Sequence, residues 1–193
     1  MIVTDVVLAS RSPRRRELLR QLGLTYTVVD VEIDETPFCD EDPASYVRRM
    51  AATKAMQGYV GVADEQCPPV LGADTAVVVD DQILGKPVDL ADALVQLELL
   101  SGRAHKVLCA VAIANLSPAV VCVASTVRFR ATTAGEREAY CSTGEPFDKA
   151  GSYAIQGRAA VFIHHLEGSY SAVMGLPLFE TSELLAECGV RTL

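Results

Sequence analysis

Residues 6–23 read VVLASRSPRRRELLRQLG, and this stretch decides the fold class. Val6 to Ala9 is a short apolar, β-rich run, and Ser12-Pro13 follows as an N-cap with a proline in the first helical turn. Leu18, Leu19 and Leu22 then recur at helical spacing until Gly23 closes the segment. A strand, a tight turn and a helix in so few residues predict an α/β protein. Working outward, Tyr26–Val29 reads as strand, Val31–Asp42 as an acidic loop, and Asp42-Pro43 as the start of a second helix with Val47, Met50, Ala51 and Ala55 on its apolar stripe. Val70–Val79 is β-rich and turns back at Asp80-Asp81 through Ile83-Leu84 to Gly85-Lys86-Pro87, a hairpin. Asp89 caps a helix that runs to Leu100. Lys106–Ala114 and Val120–Arg130 predict a second hairpin, Thr133 to Glu136 a capping box, Val161–Ile163 a strand and Leu178–Cys188 a last helix. Hairpins mixed with helical crossovers predict a mixed twisted sheet. With no internal repeat and no flexible linker, residues 1–193 are expected to form a single domain.

Composition narrows the partners. Seventeen Lys and Arg against 25 Asp and Glu give a net charge of -8, which argues against a nucleic-acid polymer as ligand. An anionic ligand must therefore meet a local positive patch. The longest apolar runs, Leu108–Ala114 and Ala119–Ala124, fall far short of the roughly 20 residues of a membrane span. Asp5 interrupts the first apolar run and the arginines follow it, the reverse of a signal peptide's order. Six cysteines at 39, 67, 109, 122, 141 and 188 form no CxxC pair, so reduced thiols in the cytoplasm are expected. His105, His164 and His165 form no zinc motif, and the common phosphate-loop, dinucleotide and serine-hydrolase signatures are missing.

Several residues break local rules, as functional residues do. Arg14, Arg15 and Arg16 crowd the start of the first helix, with Arg11 just outside, although that end already carries positive partial charge. They form either a solvated basic face or, with Ser10 and Ser12, an anion site built on free N–H groups and guanidiniums. Lys54 shares the helical face of Val47, Met50 and Ala51, so it either snorkels outward or points into a cleft. Asp74 interrupts a strand that otherwise reads as buried, which is unfavourable unless the carboxylate is paired, bound to a metal or placed in a turn. Glu32, Asp34 and Glu35 form a wet acidic loop or, beside a phosphate ligand, oxygen donors for a divalent cation. Lys86 sits at a hairpin end. Residues 101–106 hold Arg103, His105 and Lys106, either a basic patch or a complement to a helix C-terminus. Residues 145–157 form a polar, turn-rich loop, either a binding segment or a connector.

Taken together, LASRSPRRRELL at 8–19, the Asp34-Glu35 pair, Lys54-Ala55, GADT at 72–75, GKP at 85–87, SGRAHKV at 101–107, GEPFDKAGSYAIQG at 144–157 and GSYSAVMGLPL at 168–178 resemble the Maf family of nucleoside triphosphate pyrophosphatases. The stretch DKAGSYAIQG resembles the subgroup acting on dTTP and UTP rather than the one acting on 7-methyl-GTP. The resemblance implies an elongated, two-lobed mixed α/β fold around a central cleft and a divalent metal, Mg²⁺ or Mn²⁺. It also implies a homodimer, and hydrolysis of a triphosphate to the monophosphate and pyrophosphate. By the same pattern Asp74 is the proton acceptor and Arg14, Thr75 and Gln156 select the substrate. Ser10, Arg15, Lys54 and Lys86 line the phosphates, and Glu35 joins Asp74 near the metal. Cys109 departs from the threonine common in related sequences, with an expected effect on packing. A competing expectation is a nucleotide-binding regulator of cell division or septum formation that does not cleave its ligand. Only the enzyme requires the acidic pair and Asp74.

Overall fold

The computed structural model describes residues 4–62, 68–115 and 117–192. Along the chain run β1 (Val6–Leu8), α1 (Pro13–Gln21), β2 (Tyr26–Val28), α2 (Pro43–Val62), β3 (Val70–Val79), β4 (Gln82–Leu84) and α3 (Leu90–Leu100). There follow β5 (Ala104–Ala114), β6 (Ala119–Phe129), α4 (Ala134–Cys141), β7 (Ile163–Glu167), α5 (Tyr170–Met174) and α6 (Leu178–Glu187). The strands form one sheet in the order β2-β1-β3-β5-β6-β7, with β4 paired to β3. β1 is parallel to β2 and to β3, whereas β3–β4 and β6–β7 are antiparallel. The sheet is therefore mixed, as the alternation of hairpins and crossovers requires. No helix among the described residues is long and apolar enough to cross a membrane.

Local chemistry explains most element ends. Ser12 Oγ accepts from Arg15 N at 3.5 Å to cap α1, and Gly23 beyond its end takes φ 75°. Asp89 Oδ1 accepts from Asp92 N at 2.8 Å to cap α3. Thr133 and Glu136 complete the reciprocal capping box of α4. Asp80 and Asp81 have φ 49° and 60°, the pair of positive values that a tight two-residue hairpin between β3 and β4 needs.

Two expectations require correction. The strand expected at Val161–Ile163 begins only at Ile163, and Arg158–Phe162 form a 3-10 turn. The carbonyls of Val161 and Phe162 are taken by Arg130, whose Nε donates to the first at 3.0 Å and whose N donates to the second at 2.8 Å. Pairing with β6 starts at Ile163 opposite Phe129, passes a register shift at Arg128/Phe129, and carries His164 and His165 exposed on β7. β5 likewise begins at Ala104, which places His105 inside a strand.

The chain forms two compact units. One comprises Met1–Asp74, Cys109–Val123 and Gly175–Leu193, and the other Thr75–Leu108 and Ala124–Met174. In the first unit Leu8, Leu18, Leu19, Val47, Met50, Ala51, Leu71 and Leu185 are buried. Here β3 and α2 approach so closely that a Cβ at Gly72 would lie 2.4 Å from Ala51 O and 2.5 Å from Ala55 N. The core of the second unit gathers Val77, Leu97, Leu100, Phe129, Tyr153 and Phe162. His105, Phe129 and Tyr153 pack edge to face in it, with ring centroids 5.0 to 5.4 Å apart.

Candidate active site

Gly72 and Asp74 lie two residues apart on β3 and so share one face of the strand. The face that admits the α2 backbone at Gly72 presents the Asp74 carboxylate to the same helix, three residues along from Ala51, at Lys54. Lys54 Nζ lies 2.7 Å from Asp74 Oδ1 and 2.6 Å from Glu35 Oε1. The Lys54 and Asp74 side chains are 12% and 13% exposed, and that of Glu35 is 50% exposed. Lys54 therefore does not snorkel: its ammonium turns inward and is shared by two carboxylates. Asp74 resolves in the same way, as a nearly buried carboxylate made tolerable by a charged partner.

Glu35 comes from the acidic loop, which two α2 side chains hold by its carbonyls. Tyr46 Oη donates to Glu35 O at 2.9 Å, and Arg49 Nη2 donates to Thr36 O at 3.1 Å. Arg49 also grips Glu41 with both arms of its guanidinium, at 2.7 and 2.6 Å, and stacks 3.9 Å from the centroid of Phe38. That grip holds Glu41 below the usual carboxylate range. Burial, and then the charges of Asp74 and Glu35, push the Tyr46 hydroxyl up to about 12, so it stays a donor. Asp34 is spent on the loop itself, accepting from Thr36 N at 2.9 Å. Tyr46, Arg49 and Glu41 escaped the sequence reading. The signal available was their place at the start of a helix that directly follows an acidic loop.

The arginine-rich helix start is partly committed to the scaffold. Arg15 Nε donates to Gly175 O at 2.8 Å and its Nη1 to Ser10 Oγ at 3.0 Å, and Ser10 is buried. Ser10 and Arg15 are thus brought together by a direct bond. Arg11 forms an exposed pair with Asp30 at 2.9 Å, and Arg14 is half-buried.

Thr75, Lys86 and Gln156 belong to the second unit. Thr75 follows Asp74 on β3 and is half-buried, while Lys86, just past β4, and Gln156 are exposed. The loop of 145–157 is ordered by Glu145, which accepts from Tyr140 Oη at 2.9 Å and from Arg158 N at 3.0 Å. A Cβ at Gly157 would collide with that carboxylate at 2.3 Å. Residues 101–106 do not form one basic patch. Arg103 pairs with Asp80 at 2.6 Å, whereas His105 is buried with Nε2 2.8 Å from Tyr153 Oη. Burial pulls the His105 imidazole down to about 4, so it is neutral near pH 7.

Among the described residues no group of three or more His, Cys, Asp or Glu is placed to hold a metal ion. Glu35 and Asp74 nevertheless converge within bonding reach of one cationic atom, and carboxylate oxygens are the donors that Mg²⁺ and Mn²⁺ favour. A shell built on two carboxylates is completed by water and substrate phosphates. The donor set fits such an ion.

Residues 5–188 match the family described as Maf-like protein. The chain belongs to the Maf family. Its relatives include a dTTP/UTP pyrophosphatase of Shewanella oneidensis, 50% identical over 192 residues that cover 96% of this chain and 99% of that one. A dTTP/UTP pyrophosphatase of Bordetella avium is 49% identical, covering 95% of this chain and 94% of its own. Another from Nitrosomonas europaea is 46% identical, covering 96% and 95% respectively. Among solved structures, a nucleoside-triphosphatase, dITP/XTP pyrophosphatase, of Mycobacterium abscessus aligns at a TM-score of 0.41 and 19% identity. That alignment covers 64% of this chain and 73% of the other. In this Maf-family protein Cys109 is wholly buried on β5. Cys39, Cys122, Cys141 and Cys188 are free thiols, and Cys67 lies outside the described residues.

Proposed function

We propose that this Maf-family protein hydrolyses dTTP and UTP, with modified pyrimidine triphosphates as further substrates, to the nucleoside monophosphate and pyrophosphate. Removal of unwanted nucleotides before their incorporation is the corresponding role. The observation that carries the reading is identity of 46% to 50%, over at least 95% of the chain, to relatives named dTTP/UTP pyrophosphatase. The pairing of Lys54 with Asp74 supports it at the level of the site.

In this reading Asp74 orients a water molecule and accepts its proton. The water oxygen bonds to the α-phosphorus as the bond to the α,β-bridging oxygen breaks, and pyrophosphate departs. Little covalent work falls to the protein, so charge neutralisation and positioning dominate. Lys54, Arg15 and Ser10 supply cationic and hydroxyl donors for phosphate oxygens, as does Lys86. Arg14, Thr75 and Gln156 select the substrate, the Gln156 amide being able both to donate to a pyrimidine carbonyl and to accept from the ring N–H. Glu35 and Asp74 would hold the divalent cation, Mg²⁺ or Mn²⁺, which when bound neutralises phosphate charge and polarises the phosphoryl group. The protein acts in the cytoplasm as a homodimer. Its free thiols suit a reducing compartment, and its net charge of -8 suits a discrete nucleotide better than a nucleic-acid polymer.

The test is release of pyrophosphate and monophosphate from dTTP, UTP, CTP, GTP and 7-methyl-GTP, each with Mg²⁺, Mn²⁺ or chelator. Metal-dependent turnover highest for dTTP and UTP is expected. Binding of triphosphates by folded protein without turnover would overturn the reading.

A further inference from the structure

One ammonium serves two carboxylates in this site, and all three groups belong to the same compact unit. Lys54 reaches Glu35 at 2.6 Å and Asp74 at 2.7 Å, so one positive charge stands between two negative ones. Lys54 is also the kind of residue that can leave such a pair: a compact charge on a flexible stem, without the fixed fork of an arginine. Leaving without a replacement cation would strand the nearly buried Asp74 carboxylate, which is strongly unfavourable. Glu35 and Asp74 are the carboxylates that would hold a divalent cation, and an ammonium and a dication repel at shared acceptors.

We propose that Lys54 is the protein's internal counter-cation, withholding Glu35 and Asp74 from a divalent cation until a triphosphate offers its ammonium other oxygens. This rests on the pyrophosphatase reading and adds an order of events to it. The carboxylate pair is released to a cation only together with nucleotide, and the substrate-free protein keeps a cation of its own between the two groups.

The experiment is a titration of the substrate-free, full-length chain with Mn²⁺, following unbound Mn²⁺ by electron paramagnetic resonance. Wild type is expected to bind weakly. Lys54→Gln, which removes the charge but keeps a hydrogen-bond donor, should bind at least tenfold tighter. Adding Asp74→Asn to it should erase that gain, and Lys54→Arg should bind as weakly as wild type. Melting curves establish that each variant is folded. Should Lys54→Gln fail to fold, wild type alone decides the matter: an α,β-imido analogue of dUTP should raise Mn²⁺ retention by the protein at least tenfold. The inference is overturned if folded Lys54→Gln binds no tighter than wild type, or if wild type retains Mn²⁺ equally well without the analogue. Turnover of dTTP and UTP by the same wild-type preparation separates the two failures. Turnover with unchanged Mn²⁺ binding in Lys54→Gln sinks the counter-cation alone, whereas the expected Mn²⁺ behaviour without turnover sinks the enzyme.

Discussion

Asp74 sits on a strand between buried Ala73 and half-buried Thr75 with 13% of its side chain exposed, and Lys54 at 2.7 Å is what makes its charge tolerable there. Asp74→Asn keeps the shape and an oxygen acceptor for Lys54 while removing the proton acceptor. Turnover of dTTP should fall by about 10²-fold or more, the usual worth of a positioned general base. Steady-state kinetics and a melting curve on the same sample check this, and near-normal turnover by a folded Asp74→Asn variant would remove Asp74 from the mechanism. Both members of the pair were visible in the sequence because each breaks the pattern of its own element, a lysine on an apolar helical face and a carboxylate in an apolar strand. That the two anomalies cancel was not visible, since the cancellation depends on how α2 lies on β3. Tyr46 and Arg49 left no such mark. They act on backbone carbonyls of the loop that carries Glu35, and carbonyls are the same in every sequence.

The alignment of α2 with β3 is set where Gly72 meets the helix backbone. Gly72→Ala would drive a methyl to within 2.4 Å of Ala51 O and 2.5 Å of Ala55 N, and neither atom can swing aside as a side chain can. A loss of about 1–3 kcal/mol of stability is expected, the range of overpacked cores. The urea midpoint measures it, and an unchanged midpoint would show that the helix yields freely. Elements governed by local chemistry were the legible ones: α1 by Ser12 and Pro13, α3 by Asp89, α4 by its capping box, and the β3–β4 turn by two aspartates. β7 was misplaced because its position depends on Arg130 capturing the carbonyls before it, a contact distant in sequence. The five-residue α5 carries too little periodicity to read, although Ser169 Oγ accepts from Ala172 N at 3.2 Å at its start.

For the molecule as a whole, buried and paired groups tie stability to pH. His105 titrates near 6.5 when unfolded and is pulled down to about 4 by burial in the fold. Between those values the unfolded chain binds the extra proton, so the contribution to stability is complete above pH 6.5 and is lost as pH falls toward 4. The full span is worth about 3 kcal/mol at 1.36 kcal/mol per unit. Glu136 is lowered from 4.5 to about 2, chiefly by its hydrogen bond from Arg130, and so loses its contribution in a more acid window that opens as that of His105 closes. Melting temperatures between pH 7.5 and 4.5 should fall for wild type and fall less steeply for His105→Gln. Equal slopes would mean that the buried imidazole is not the sensor.

The division of the chain into interleaved segments has a consequence for its birth. The unit that carries Lys54 and Asp74 draws its last segment, Gly175–Leu193, from the far end of the chain, and Arg15 donates to Gly175 O across 160 positions. A ribosome delivers those partners after the other segments of the same unit. Throughout synthesis the N-terminal stretch must wait with part of its apolar surface uncovered, so this half of the protein reaches its final form only after the segment beyond residue 174 has left the exit tunnel.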